Sequence, residues 1–400
     1  MCVRDLALCR PASIFTSNAA RPTPLTLLAP MPMSHTALRF ALCSTTVFVA
    51  TAVFQPAAAV DLNVVVETAS TIKRNEAGAI VDVDLSDQAV DDKVVDAVAA
   101  LDSLSVLRLR RTAISDAQLA KLAHLKLRMV DLRNTNISDA GLVHLAKIPS
   151  LVDIQLEKSK VTDDGIRALK DLSLKSFNIN YCTSVSNEGL AVVAAMPSME
   201  QLQFDYTSID DDGMAVLAAA ANLKRLRIRG VDVTGVGIAQ LAELTNLSRL
   251  NLRDTSLDDA GLKVIAQLPK LDWLDISECR LVTPSGIAQL GQASTLTYLD
   301  LWETKADDES LAALTGLKNL TVLNLMATSV TDAALPALLK FEQLVELNVA
   351  GTQLADESFL ALGRLPALKK LNVANTGIGF DTIDTLIESR DDLEVIEFEH

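Results

Sequence analysis

The side chains with the most chemistry to offer recur at a fixed interval in three sets. Arg225, Arg249, Trp273 and Tyr298 form the first, and Arg227, Asn251, Asp275 and Asp300 the second, two positions on. Arg229, Arg253, Ser277 and Trp302 form the third, two further on. Alternate residues of a strand project from one face, and parallel strands lie about 4.8 Å apart, so such sets stack into adjacent columns. Five arginines then stand on two rungs, beside two tryptophans and a tyrosine, residue types that dominate binding hot spots. Trp273, Tyr298 and Trp302 would anchor an apolar surface. Arg225, Arg227, Arg229, Arg249 and Arg253 would engage an anionic or carbonyl-rich group, and Asp275 and Asp300 would accept hydrogen bonds from it. Like charges at that spacing repel, which favours an anion among them. Strand propensity could also account for the rings, with the arginines screened by Asp205, Asp254 and solvent. The other two tyrosines of the chain, Tyr181 and Tyr206, stand just after a strand.

Other chemistry is sparse. Asp275 and Asp300, on neighbouring strands, could place their carboxyls about 5 Å apart, the separation of a retaining glycosidase pair. No deep cleft accompanies them, and no enzyme is expected. His124, His144 and His400 have no Ser or Cys nucleophile beside them, and metalloprotease, phosphate-loop and dinucleotide motifs are absent. Acidic clusters recur at Asp163-Asp164, Asp210 to Asp212, Asp258-Asp259 and Asp307-Asp308. Calcium takes such oxygens, but helix capping explains the positions better, so no metal or cofactor is expected. Arg108, Arg110, Arg111, Arg128 and Arg133 form a second basic group without an aromatic and are expected on a solvated face.

The elements that position these residues form one repeat. Units open at Ile80, Leu104, Leu127, Leu151, Leu174, Met199, Leu223, Leu247, Leu271, Leu296, Leu320, Leu344, Leu368 and Leu393, 23 to 25 residues apart. In one unit, Leu127, Val130 and Leu132 read as the inward residues of a strand. Ser138 and Asp139 stand where a helix cap belongs, and Leu142, Leu145 and Ile148 form a helical stripe. A single unit cannot bury its apolar face, so units must stack into a parallel ladder. The predicted fold is an α/β right-handed solenoid, a horseshoe with parallel strands on the concave face and helices on the convex face.

The pattern L-x-x-L-x-L-x-x-T-x-[ILV]-x-D-x-G-L resembles the leucine-rich repeat family, in the 24-residue form of exported bacterial proteins, over residues 80–400, about 13 repeats. The resemblance implies partner binding without naming a partner. It also implies that the ninth position faces inward and bonds the backbone of adjacent turns, usually as Asn. Here that position holds Thr in most units, and Cys182 and Cys279 in two. Four rungs separate these cysteines, about 19 Å, so no disulfide is expected.

Residues 60–79 are expected to supply an N-terminal cap strand, with Leu62, Val64 and Val66 alternating. The last strand is read with Leu393, Ile396 and Phe398 inward and Glu394, Glu397 and Glu399 outward, charges that resist edge pairing. Residues 1–59 read as a signal peptide region: a polar stretch ending at Arg39, an apolar run from Phe40 to Phe54, and cleavage after Ala59, with the true start possibly at Met31 or Met33. The apolar run is shorter than the ~20 residues a spanning helix needs, so no membrane span is expected in the mature chain.

The 400-residue chain carries 36 basic and 51 acidic side chains, a balance of −15, and removal of the leader leaves 32 against 50, or −18. That charge argues against a nucleic-acid partner. The reading is an exported protein, periplasmic or extracellular, that mediates protein–protein interaction through its concave face. The alternatives are a glycan- or cell-wall-binding module using the same aromatics, and a structural envelope protein with no specific ligand. Oligomeric state is not legible.

Overall fold

The structure is a computed structural model, and it describes residues 61–398; residues 1–60, on which the expected signal peptide and its cleavage site fall, and residues 399–400 lie outside the described residues. Those residues form one sheet of fifteen strands in sequential order, parallel throughout except for the first pair. Most rungs are three residues of strand followed by a short helix, as in Asp139–Leu145. In every unit before the last the fourth and sixth residues are buried, Val130 and Leu132 at 0% exposure, and the helix contributes Leu142 and Leu145 to the same spine. Strand register places Arg225, Arg249, Trp273, Tyr298, Val322, Glu346 and Lys370 side by side, so the expected columns exist.

The turn after each strand is built the same way. The eighth residue of every unit from Asp87 to Asn375 has φ between 52° and 65°, a left-handed conformation, although only Gly230 and Gly351 among them are glycine. Such backbone costs an ordinary residue of order 1 kcal/mol or more and persists where surroundings over-determine it. Here the N–H of that residue extends the inter-rung ladder, as Tyr181 N donates to the Asp205 carbonyl at 2.7 Å. In nine rungs the fifth residue is Asp or Asn, and its side chain accepts from the N–H two residues on, at 2.9 to 3.2 Å. The fifth column is therefore an Asx-turn scaffold, where the sequence had suggested a position free to carry function.

The ninth position is also resolved differently. Thr135, Thr255 and Thr304 donate to the carbonyl three residues earlier in their own turn, at 2.6 to 2.7 Å, not to an adjacent turn. The cysteines do bridge turns: Cys182 Sγ donates to the Leu156 carbonyl at 3.3 Å and Cys279 Sγ to that of Leu252 at 3.2 Å. Both cysteines are buried and unpaired.

Two neighbouring residues share the work at most helix starts, one capping its own helix and the other reaching the next rung. Thr162 caps its helix by accepting from Asp164 N, while the first helical residue, Asp163, reaches the next rung. It accepts from Ser186 N at 2.9 Å, Ser186 Oγ at 2.6 Å and Gly189 N at 3.0 Å. Asp116, Asp139, Asp211, Asp259 and Asp308 make the corresponding pair of bonds to Ser138, Thr162, Thr234, Thr283 and Thr331. In five of these six clamps the approach leaves room only for glycine two residues past the first residue of the next helix, while Ala334 takes that place opposite Asp308. A Cβ on Gly165 would stand 2.2 Å from Asp139 Oδ1. The D-x-G element of the repeat is thus a clamp between rungs.

The ends depart from expectation. Leu62, Val64 and Val66 fall in helix α1 (Asn63–Thr68), started by Asp61, which accepts from Asn63 N; only Val65 is fully buried. The cap strand is β1 (Thr71–Arg74), antiparallel to β2 (Ile80–Asp84) through a turn in which Asn75 Oδ1 accepts from Ala79 N. At the far end Leu371 pairs with Val395, not Ile396, so the last strand is one residue out of the predicted phase. Ile396 then lines the concave face and Phe398 is 71% exposed.

Candidate functional site

The third column emerges on the concave face with its chemistry intact. Trp273 and Tyr298 stack at 4.5 Å between centroids with planes 15° apart, as neighbours on parallel strands must when both rings lie flat. Arg225 and Arg249, on the two preceding strands, are exposed and have no ion-pair partner among the described residues. Together with Gln201, Gln203, Arg227, Asn251 and Trp273 they line a shallow hollow of about 210 Å³. On the other side of the aromatic pair, Tyr298, Val322, Asn324, Glu346, Asn348, Lys370, Asn372 and Ile396 border a second hollow of about 280 Å³.

The remaining arginines are engaged within the protein. Arg227 Nε donates to Asp205 Oδ2 at 2.6 Å, and Asp205 Oδ1 accepts from Arg229 N at 2.9 Å. Asp205 is fully buried, and burial pushes its carboxyl up despite Arg227 and Arg229. Arg253 donates to Glu278 at 2.7 Å and lies over the Trp302 ring at 4.3 Å. Trp302 reaches Arg253 across the small Ser277, so it is a rim contact and not a free anchor. Arg229 stands 5.9 Å from the Tyr206 ring, which stacks on Tyr181 at 4.8 Å, with Lys158 over the far ring at 4.8 Å. The five Tyr and Trp residues are therefore all stacked, but only Trp273 and Tyr298 face the open sheet. Repulsion among the five arginines is relieved mainly by Asp205 and Glu278. Arg229 Nε and Trp302 Nε1 are the two buried side-chain nitrogens among the described residues without a hydrogen-bond partner.

Asp275 and Asp300 are neighbours, as expected, but both carboxyls are committed. Asp275 accepts from Ser277 N, Ser277 Oγ and Asn251 Nδ2 at 3.0, 2.6 and 2.8 Å. Asp300 accepts from Trp302 N at 3.0 Å and from the Tyr298 hydroxyl at 3.3 Å. Burial, then the Asp275 charge, pushes the Asp300 carboxyl up, and burial with the same two carboxylates pushes the Tyr298 phenol up strongly. These acids hold turns; they are not arranged around an open space like a hydrolytic pair. In the second basic group, Arg108 pairs with Asp82, Arg110 and Arg111 with Asp87, and Arg133 with Asp131, a solvated and neutralised face. No group of acids, His or Cys suited to a metal occurs among the described residues.

Sequence reasoning missed Gln201 and Gln203 as lining, and Val322, Glu346 and Lys370 as the continuation of the third column. The signal was present, since Gln201, Val322, Glu346 and Lys370 share the column of Trp273 and Gln203 that of Asp275.

Fifteen strands in sequence order with helices behind them, and a left-handed turn residue on every rung, define the class: the chain is a leucine-rich-repeat solenoid. A family model described as Leucine Rich repeat matches residues 243–266. An internalin from Listeria monocytogenes is similar in fold, with a TM-score of 0.58 at 18% identity over 85% of this chain and 94% of that one. A leucine-rich-repeat protein of Leptospira interrogans gives 0.52 at 17% over 79% and 89%. The crystal structure of the Rad7 and Elc1 complex in yeast gives 0.59 at 18% over 77% and 84%. No curated protein matches the chain in sequence. Among the described residues no helix is long and apolar enough to cross a membrane.

Proposed function

We propose that this protein binds another protein through the concave face of its middle rungs, with Trp273 and Tyr298 as the anchor and Arg225 and Arg249 as the polar contacts. The observation that carries the reading is the pairing of a stacked, accessible aromatic platform with two unpartnered guanidinium groups on a rigid sheet. Aromatic and Arg side chains held in place lose little entropy on binding. Trp302, Arg253, Arg227 and Arg229 stiffen the rim, and Asp275 and Asp300 fix the turns beneath. The repeat scaffold, like the leucine-rich-repeat class generally, supplies recognition and not catalysis.

The test is retention of a partner from proteins of the producing cell by the immobilised chain. A specific protein held by the wild type and absent from Trp273→Ala combined with Tyr298→Ala supports the reading; equal retention by the variant refutes it. Elution by free oligosaccharide but not by peptide would move the site to glycan binding. The leader adds export to the proposal: N-terminal sequencing of the mature product should begin at Val60, and a product still carrying residues 40–59 would contradict it.

A further inference from the structure

We propose that the ligand of the concave face is an extended peptide running along the third column, with a carboxylate seated at Arg225 and Arg249, an apolar segment over Trp273, Tyr298 and Val322, and a cationic side chain at Glu346. The inference rests on the concave-face reading above and names the ligand that the face would take. The column places these six side chains on consecutive strands in register. Five strand gaps of about 4.8 Å give a track of about 24 Å, which an extended chain at about 3.4 Å per residue covers in about seven residues.

Charge decides the ends. Arg225 and Arg249 are exposed without ion-pair partners among the described residues, and Glu346 is exposed at the other end of the track. The balance of −15 for the whole chain repels a polyanion, so a ligand with one or two carboxylates and a compensating cation is favoured over a nucleic acid or an acidic polymer. The two ends favour peptide over saccharide, because one short peptide can carry both a carboxylate and a cationic side chain. Asn348 and Asn372 use their Oδ1 atoms to accept from Ala350 N and Ala374 N at 3.0 Å, which leaves their Nδ2 groups as donors. Asn348 Nδ2 has only the Met326 sulfur at 3.8 Å. These donors stand at the Glu346 end of the track, where they can meet backbone carbonyls of the peptide.

The experiment is selection of a random twelve-residue peptide library on the full chain. The expected consensus carries an acidic and a basic residue about six positions apart with apolar residues between. A synthetic peptide of that consensus should bind about tenfold more weakly when its acidic residue becomes the amide, about 1.4 kcal/mol. That loss should disappear on Arg225→Ser combined with Arg249→Ser, exposed sites whose replacement leaves the core untouched. Selected peptides that need Trp273 but show no such charge coupling overturn the ordered track and leave the concave-face reading standing. An oligosaccharide that needs Trp273, with no peptide selected, overturns the peptide assignment alone. Binding by any selected peptide or oligosaccharide that survives Trp273→Ala, with none that depends on it, overturns both.

Discussion

Replacing Asp163 by Ala removes a clamp between rungs, whereas replacing its neighbour Asp164 removes almost nothing. Asp163 accepts three hydrogen bonds from the next unit, two of them from backbone N–H groups of Ser186 and Gly189. Hydrogen bonds to a charged acceptor contribute about 1.5 to 3 kcal/mol, and water can partly replace them at this half-buried site, so about 2 to 3 kcal/mol is expected for the set. Asp164 is exposed and meets only Arg167, a surface pair of small worth. Stability in a repeat protein is approximately a sum of unit and interface terms, so weakening one central interface lowers the whole transition. With a urea m-value of about 3 kcal/mol/M for a domain of this size, the Asp163→Ala midpoint should fall by about 0.7 to 1 M. The assay is urea unfolding followed by far-UV circular dichroism, with Asp164→Ala as the matched control. Equal midpoints for the two variants would refute the clamp, and with it the reading of the D-x-G element.

Three further outcomes follow from the same geometry. Gly165→Ala should destabilise by about 1 to 3 kcal/mol through overpacking against Asp139, despite the better helix propensity of alanine, and should cost less on an Asp139→Ala background, where the clashing oxygen is gone; urea midpoints of the two single variants and the double variant check it. Burial holds the Cys279 thiol up at about 11 from an ordinary 9.0, so native alkylation should stay slow at pH 8 and accelerate only toward pH 11. Because the unfolded thiol ionises first, its contribution to stability should fall as pH rises from about 9 to 11, and Cys279→Ser should lack that component of the alkaline loss. Asp300→Asn should raise the midpoint at pH 7, since the amide still accepts from Trp302 N while the charge beside Asp275 is removed. The Asp300 carboxyl lies above its ordinary range, so the native state takes up its proton first as pH falls, and the advantage of Asn should fade toward pH 4; a constant advantage would show that charge is not the cause.

Much of this was legible in the sequence because a repeat prints its register many times. The inward residues, the stacking of columns and the cap at Ser138 all followed from residues such as Leu127 and Val130, whereas Asp139 and Asp163, expected at caps, reach across to the next rung. What escaped were features set by side-chain reach. Periodicity places Arg253 and Trp302 in one column but cannot tell that Ser277 between them lets the ring lie back over the guanidinium. It likewise marks Asp275 as facing outward without revealing that the Asn251 and Ser277 side chains use up its oxygens. The ends were misread for a different reason. Leu62, Val64 and Val66 alternate like a strand, yet only Val65 finds a core to enter, and the final rung has no following unit to fix its phase.

The central claim is that ligand meets Trp273 on the open sheet while Trp302 stays bound to Arg253. Because Trp273 and Trp302 are the only tryptophans, the chain labelled with 5-fluorotryptophan has two fluorine resonances, assigned by Trp273→Phe. Titration with the selected peptide should move the Trp273 resonance saturably, leave that of Trp302 nearly in place, and fail in the Arg225→Ser, Arg249→Ser variant. Peptide binding seen by fluorescence anisotropy while the Trp273 resonance stays still would place the site elsewhere and contradict the account.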